Sequence, residues 1–191
     1  MSCDAVAPSD HVLAFWFDGE RQRPEWFRKD AAFDAAVRER FGAVIEAALA
    51  GHLRDWDGSP PSALARVIVL DQFTRNAFRD TPRAFAGDAL ALAAATDMVA
   101  RGDDRRLGPV QRSFVYLPFE HAEDRDSQRQ AVSLFEQLAA DAPALADLVT
   151  WARRHQEVIE RFGRFPHRNA ILGRPSTDEE RAYLSQPGSG F

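Results

Sequence analysis

The sequence predicts an all-α fold, and three observations carry that reading. Apolar residues recur at three- and four-residue steps, the alternation that marks strands is nearly missing, and Ser, Thr, Asp, Gly and Pro fall where helices start and stop. At 191 residues the chain is long enough to bury roughly two thirds of its unfolded surface, so one domain over 1–191 is expected, with 1–8 and 186–191 frayed.

Ser9 and Asp10 are placed to cap a short helix carrying Val12, Leu13, Phe15, Trp16 and Phe17, with Gly19 as its stop. Its aromatic residues read as a core plug. Beyond a connection around Pro24, Trp26 and Phe27 precede Asp30, the expected cap of a helix reaching about Ala50. Phe33, Val37, Phe41, Val44, Ile45, Ala48 and Leu49 keep helical spacing within it, and Gly51 suits its end. Gly58, Pro60 and Pro61 make residues 55–62 a loop by composition. From Ser62 the run Ala63 to Phe78 follows, so apolar through Leu64, Val67, Ile68, Val69 and Leu70 that it belongs at the centre. Its last turns carry Asp71, Gln72, Arg75 and Asn76, paired at four-residue spacing on neighbouring edges of one helix end.

Thr81 and Pro82 open an alanine-rich helix that Gly102 ends. Another begins near Pro109 and meets Pro118, where a missing N–H and a steric clash predict a kink or a restart. Glu120, His121, Glu123 and Asp124 lie just past that point. Helices over about 126–140 and 142–162 come next, and His155 sits inside the apolar stripe of the second, where a histidine is usually buried against a partner. Gly163 ends that helix and Pro166 starts a further turn. The N–H groups of His167, Arg168 and Asn169 would then lack intrahelical acceptors beside Arg164, His167 and Arg168, which predicts a centre for a carboxylate or anion. Thr177 to Glu180 form a capping box for a terminal helix. Short turns between successive helices suggest antiparallel helix pairs stacked in series, as in TPR-like solenoids, although no sequence repeat of about 34 residues accompanies them.

The formal charge of −5, with Lys29 as the one lysine among 24 basic residues and no basic block, argues against nucleic-acid binding. No run approaches the ~20 apolar residues of a membrane span, and residues 1–10 lack the features of a leader, so a cytoplasmic protein is expected. The single cysteine, Cys3, excludes an intrachain disulfide and a thiolate metal site. The elbow of Ser hydrolases and glycine-rich nucleotide loops are both missing, and no cofactor is expected.

Three segments carry a resemblance: Asp71-Gln72-Phe73-Thr74-Arg75-Asn76, the run Phe114 to Asp124 centred on Pro118-Phe119-Glu120-His121, and Arg161 to Asn169. With Val12 to Phe17 and Leu172-Gly173-Arg174, they make nearly the whole chain resemble the bacterial domain-of-unknown-function 924 family. Thr74 stands where that family usually has proline. The resemblance implies an all-helical, TPR-like fold and supplies no catalytic role.

The candidate site residues follow from the polar groups that adjoin apolar runs. His121, Glu123, His155 and His167 are the candidates for acid–base work. Asp71, Gln72, Arg75, Asn76, Glu120, Arg164, Arg168 and Asn169 are the candidates for holding a ligand. The leading expectation is a pocket for a small anionic molecule, with catalysis left open. The alternative is a TPR-like scaffold for a peptide or protein, whose polar cluster is a structural ion-pair network. A metal site from the histidines and Glu123 ranks lower, because two residues spaced as His121 and Glu123 point about 200° apart on a helix. Oligomeric state is not legible.

Overall fold

A computed structural model describes residues 8–17, 23–26 and 28–190. Among them every regular element is helical and no strand occurs. The α-helices are α1 (Ser9–Trp16), α2 (Ala31–Leu49), α3 (Pro60–Ile68), α4 (Thr74–Ala77), α5 (Asp88–Arg101), α6 (Pro109–His121), α7 (Arg125–Asp141), α8 (Asp147–Phe162) and α9 (Asp178–Leu184). A π-helical turn, Val69–Phe73, joins α3 to α4 without a break. Cys3, Gly19 and Phe27 lie outside the described residues.

The apolar run predicted to be central is central. Residues Ala63 to Leu70 are buried throughout, and α3 packs on α1, α5 and α6, while α6, α7 and α8 pack consecutively. The aromatic plug closes one end: Trp16 stacks on Trp26 and meets Phe73 and Phe114 edge-on, with ring centroids 6.0, 5.6 and 5.7 Å away.

Local chemistry sets the boundaries, and some depart from the sequence reading. Asp30 caps α2 by accepting from the N–H groups of Ala32 and Phe33, as expected. Ser59 caps α3, which begins inside the expected loop, so Pro60 and Pro61 occupy the first turn of the helix, where proline loses no intrahelical bond. Ser9 and Asp10 lie inside α1, and no side chain caps it. Pro82 opens a single 3₁₀ turn, Pro82–Phe85, and α5 starts only at Asp88. A similar turn, Pro143–Leu145, precedes α8. The helix does not restart at Pro118; α6 runs through it to His121, making Glu120 and His121 last-turn residues. Gln128 of α7 steadies this end by donating Nε2 to the carbonyls of Glu120 and Ala122, at 2.6 and 2.8 Å.

Two backbone features position the polar residues. In the π turn the Leu70 carbonyl accepts the Thr74 hydroxyl at 2.7 Å, supplying a side-chain partner where the i to i+4 ladder is interrupted. Gly87 lies against the same carbonyl, so that a Cβ there would stand 2.1 Å from Leu70 O. The absence of a side chain thus lets the start of α5 seat directly on the π turn, which brings Asp88 beside Arg75.

Candidate functional site

The predicted site residues divide into three groups. The first gathers where the π turn, the end of α6, the start of α5, α8 and the turn after Gly163 meet. Asp71, only 1 % exposed, projects from the π turn and is its hub. Its Oδ1 lies 2.7 Å from His121 Nδ1 and 3.1 Å from Arg75 Nη1, while Oδ2 accepts from Gln72 Nε2 at 2.5 Å. Burial opposes its ionisation, but Arg75 and His121 outweigh burial and hold the carboxyl well below the usual range. With an ionised acceptor on Nδ1, His121 carries its proton there and keeps Nε2 as the basic nitrogen.

Arg75 then reaches Asp88, Nη1 and Nη2 donating to the two carboxylate oxygens at 2.7 and 3.1 Å. Arg168, entering from the turn Pro166–Arg168, approaches the same carboxylate at 3.4 Å and donates to the His121 carbonyl at 3.0 Å. Its guanidinium is faced by the rings of Phe85 and Phe165, 4.8 and 4.6 Å from their centroids. The residue is 6 % exposed, and its buried Nε makes no hydrogen bond to a described residue. Burial, with the like charge of Arg75, brings its pKa down to about 10.

Glu120 and His155 form the floor. His155 Nδ1 lies 2.9 Å from the Trp151 carbonyl and 3.1 Å from Glu120 Oε1. Since a carbonyl only accepts, Nδ1 carries the proton. Burial, and secondarily the Asp71 charge, pushes Glu120 up to about 8, and burial takes His155 down to about 3. The two therefore meet as neutral groups at pH 7, although the distance between them would suit an ion pair. His121 is also lowered, by burial and Arg75 against the pull of Asp71, and His167 falls to about 4 through burial and Arg168. The expected burial of His155 holds, with the lowered pKa of a histidine whose carboxyl neighbour is uncharged. Exposure grades outward from this floor: the side chains of His121, Arg75 and Asp88 are 16, 19 and 22 % exposed.

The second group locks the C-terminal segment. Arg164 forms a two-pronged pair with Glu180 at 2.6 and 2.8 Å, and Glu180 also accepts from the Thr177 N–H and from Asn169 Nδ2. Glu123 accepts two bonds from Arg174, at 2.6 and 2.9 Å, and one from the Phe165 N–H at 2.7 Å. Asn169 Oδ1 accepts from Arg174 Nε at 3.0 Å. The third group is remote from both: Asn76 donates to Asp34 at 2.7 Å beside the two-pronged Arg79 pair.

These placements correct the sequence reading of the corner after Gly163. Gly163 does take the left-handed conformation, with φ 69°, and Pro166 does begin a turn. However, the N–H groups of Arg168 and Asn169 are taken by the carbonyls of Phe165 and Pro166, so the turn offers no row of free donors. Arg164 and Asn169 face Glu180, whereas Arg168 reaches the central cluster. Four partners escaped the sequence reading. Phe85 and Asp88 fall inside the helix expected from Pro82 and carry no role in the sequence reading, Glu180 reads as half of a capping box, and Arg174 lies within a matched segment without an evident role. Among the described residues no group of three His, Cys, Asp or Glu converges as metal ligands would.

A polar cluster buried in a helical fold defines the class of protein. The chain belongs to the family described as bacterial protein of unknown function (DUF924), whose model matches residues 12–188. It is also similar to a solved structure of a protein of unknown function from Agrobacterium tumefaciens, with 40 % identity and a TM-score of 0.84, over 93 % of this chain and 96 % of that one. A comparison with curated proteins gives no match.

Proposed function

We infer that the cluster around Asp71, His121 and Arg168 is a binding site for a small anionic molecule, equipped for acid–base chemistry. The observation that carries this reading is Arg168: a buried guanidinium with an unbonded Nε and only a 3.4 Å approach to a carboxylate that Arg75 already holds. A buried cation so weakly compensated is costly, and an anionic oxygen would lower that cost. Arg75 and Arg168 are the ligand-holding groups in this reading, and Gln72 acts through Asp71. His121, with Nε2 as a base, and Glu120, as a protonated acid, are the candidates for moving protons. His155 and His167 line the floor as neutral groups at pH 7.

The rival reading is a helical scaffold whose polar cluster only fixes packing. It draws on the continuous chain Asp71–Arg75–Asp88–Arg168, in which two acids face two bases. A thermal-shift series with sulfate, phosphate and acetate on the wild type and Arg168→Gln separates the two. The site reading expects stabilisation of the wild type by at least one anion and its loss in the variant. Wild-type protein that no anion stabilises supports the scaffold.

A further inference from the structure

We propose that this site binds its anion together with a proton, which His121 takes up as the anion enters. The inference rests on the anion-site reading and adds to it how that site is controlled. Its basis is the charge inventory. The cations are Arg75, from the end of the central helix, and Arg168, from the turn after α8. Against them stand Asp71 in the π turn and Asp88 at the start of α5, so the cluster is already neutral. Glu120, on the last turn of α6, has the imidazole of His155 from α8 as its contact, and among the described residues no lysine or arginine pairs with it. Glu123 is paired with Arg174, so that this pair adds no net charge although the field of Glu123 also reaches Arg168.

An anion settling on Arg168 therefore brings an uncompensated negative charge into a site of low polarity. The group best placed to offset it is His121. Its Nδ1 is already held on Asp71 at 2.7 Å, its backbone carbonyl accepts from Arg168 at 3.0 Å, and its side chain is 16 % exposed, which leaves a path for a proton from solvent. His155 and His167, the other imidazoles facing the cluster, start from about 3 and about 4 and stay neutral. Burial and the field of Arg75 keep His121 neutral in the empty site, and an anion cancels that field while the Asp71 carboxylate remains to stabilise the imidazolium. Binding and protonation then reinforce each other, since each must raise the affinity for the other by the same factor.

The experiment is titration calorimetry with sulfate, which stays fully ionised throughout, and with acetate, between pH 6.5 and 8.5 in two cationic buffers of different ionisation enthalpy. The expected result is weaker binding as pH rises, approaching about tenfold per unit, with up to one proton drawn from the buffer per anion. Glu120→Gln should keep that proton uptake and His121→Gln should remove it. If neither anion binds the wild type at any pH, the anion-site reading fails and this inference goes with it. Binding whose affinity does not change with pH overturns the proton coupling alone. Uptake that disappears in Glu120→Gln also overturns it, because the proton would then belong to the acid and not to His121.

Discussion

Asp88 and Arg168 are 80 residues apart in the chain, yet Oδ2 of one stands 3.4 Å from Nη1 of the other, with Arg75 holding the same carboxylate from the opposite side. This bridge ties the start of α5 to the turn after α8 and closes the candidate site. It depends on three local devices: the π turn that presents Asp71 and leads into Arg75, the glycine that lets α5 approach, and the clamp that fixes the turn carrying Arg168.

The glycine gives the first prediction. A methyl at position 87 would stand 2.1 Å from the Leu70 carbonyl, a backbone atom that cannot rotate away. Gly87→Ala should therefore destabilise the protein by ~1–3 kcal/mol, as overpacking commonly does. It should also move Asp88 off Arg75, weakening any sulfate stabilisation. Denaturant unfolding gives the first quantity and a thermal shift the second; an unchanged midpoint would refute the close approach.

Asp71 gives the second. Removing the hub leaves Arg75 one carboxylate poorer and His121 without its orienting acceptor. Asp71→Ala should cost ~3–5 kcal/mol, the range for breaking a buried pair from one side. Asp71→Asn keeps an oxygen to accept the His121 Nδ1 proton, and should unfold at a higher denaturant concentration than Asp71→Ala while lowering the His121 pKa further. NMR titration of the His121 ring protons in the folded Asn variant measures that shift.

The third concerns pH. His155 and His167 have folded pKa values of about 3 and about 4 against an ordinary 6.5, so below pH 6.5 the unfolded chain binds more protons and stability falls as the medium acidifies. Glu120 acts oppositely. Raised from 4.5 to about 8, it keeps its proton in the folded state while the unfolded chain loses it, so stability falls as pH rises through that interval. Between 4.5 and 6.5 the two histidines outnumber the one acid, and above 6.5 only the acid contributes. The cluster therefore predicts a stability maximum near pH 6.5. Glu120→Gln should remove the decline between pH 6.5 and 8 and steepen the acid limb between 4.5 and 6.5, where the acid no longer offsets the histidines. Urea midpoints across pH 4 to 9 test this, and a variant whose alkaline limb matches the wild type would contradict the Glu120 assignment.

The C-terminal clamp gives the fourth. Glu180 gathers Arg164, Asn169 and the Thr177 N–H, so Glu180→Ala should loosen α9 and the turn before it more than the rest of the fold. Amide exchange should quicken over 164–184 and remain slow in α3 and α6. Uniform acceleration throughout the chain would show that the clamp is not a separate stabilising unit.

The helices were legible because their signals are local. Apolar spacing, the Asp30 cap, the left-handed Gly163 and the Thr177 capping box each act within a few residues, and each appears where the sequence places it. Pro118 leaves α6 unbroken to His121, and the carbonyls at that helix end are met by Gln128 of the next helix, a tertiary contact with no local signal. The site was legible in composition and not in partnership. Asp71, His121 and Arg168 stood out as polar groups beside apolar runs, but whether Arg164 would meet Glu180 or the centre is a question of tertiary geometry. Asp88 was missed for the same reason: within a helix expected from Pro82 nothing local distinguishes it, and only the approach of Gly87 to the π turn brings it against Arg75.

The bridge from Asp88 to Arg168 also gives the molecule an order of completion during synthesis. Chains emerge from the ribosome N-terminus first, and local helical contacts form quickly while distant ones wait for the chain. A nascent chain ending after α8 already contains Asp71, Arg75, Asp88, Glu120 and His121, but its Glu123 has neither Arg174 nor the Phe165 N–H, and the second cation of the site does not yet exist. The later stretch from Phe165 to Glu180 supplies Arg168, Arg174 and Glu180, the acid that holds Arg164 and Asn169. Until that stretch is made, Asp88 has Arg75 but not Arg168 on its carboxylate, and Glu123 lacks both of its partners, so the bridge is completed only after the helices it ties together have formed.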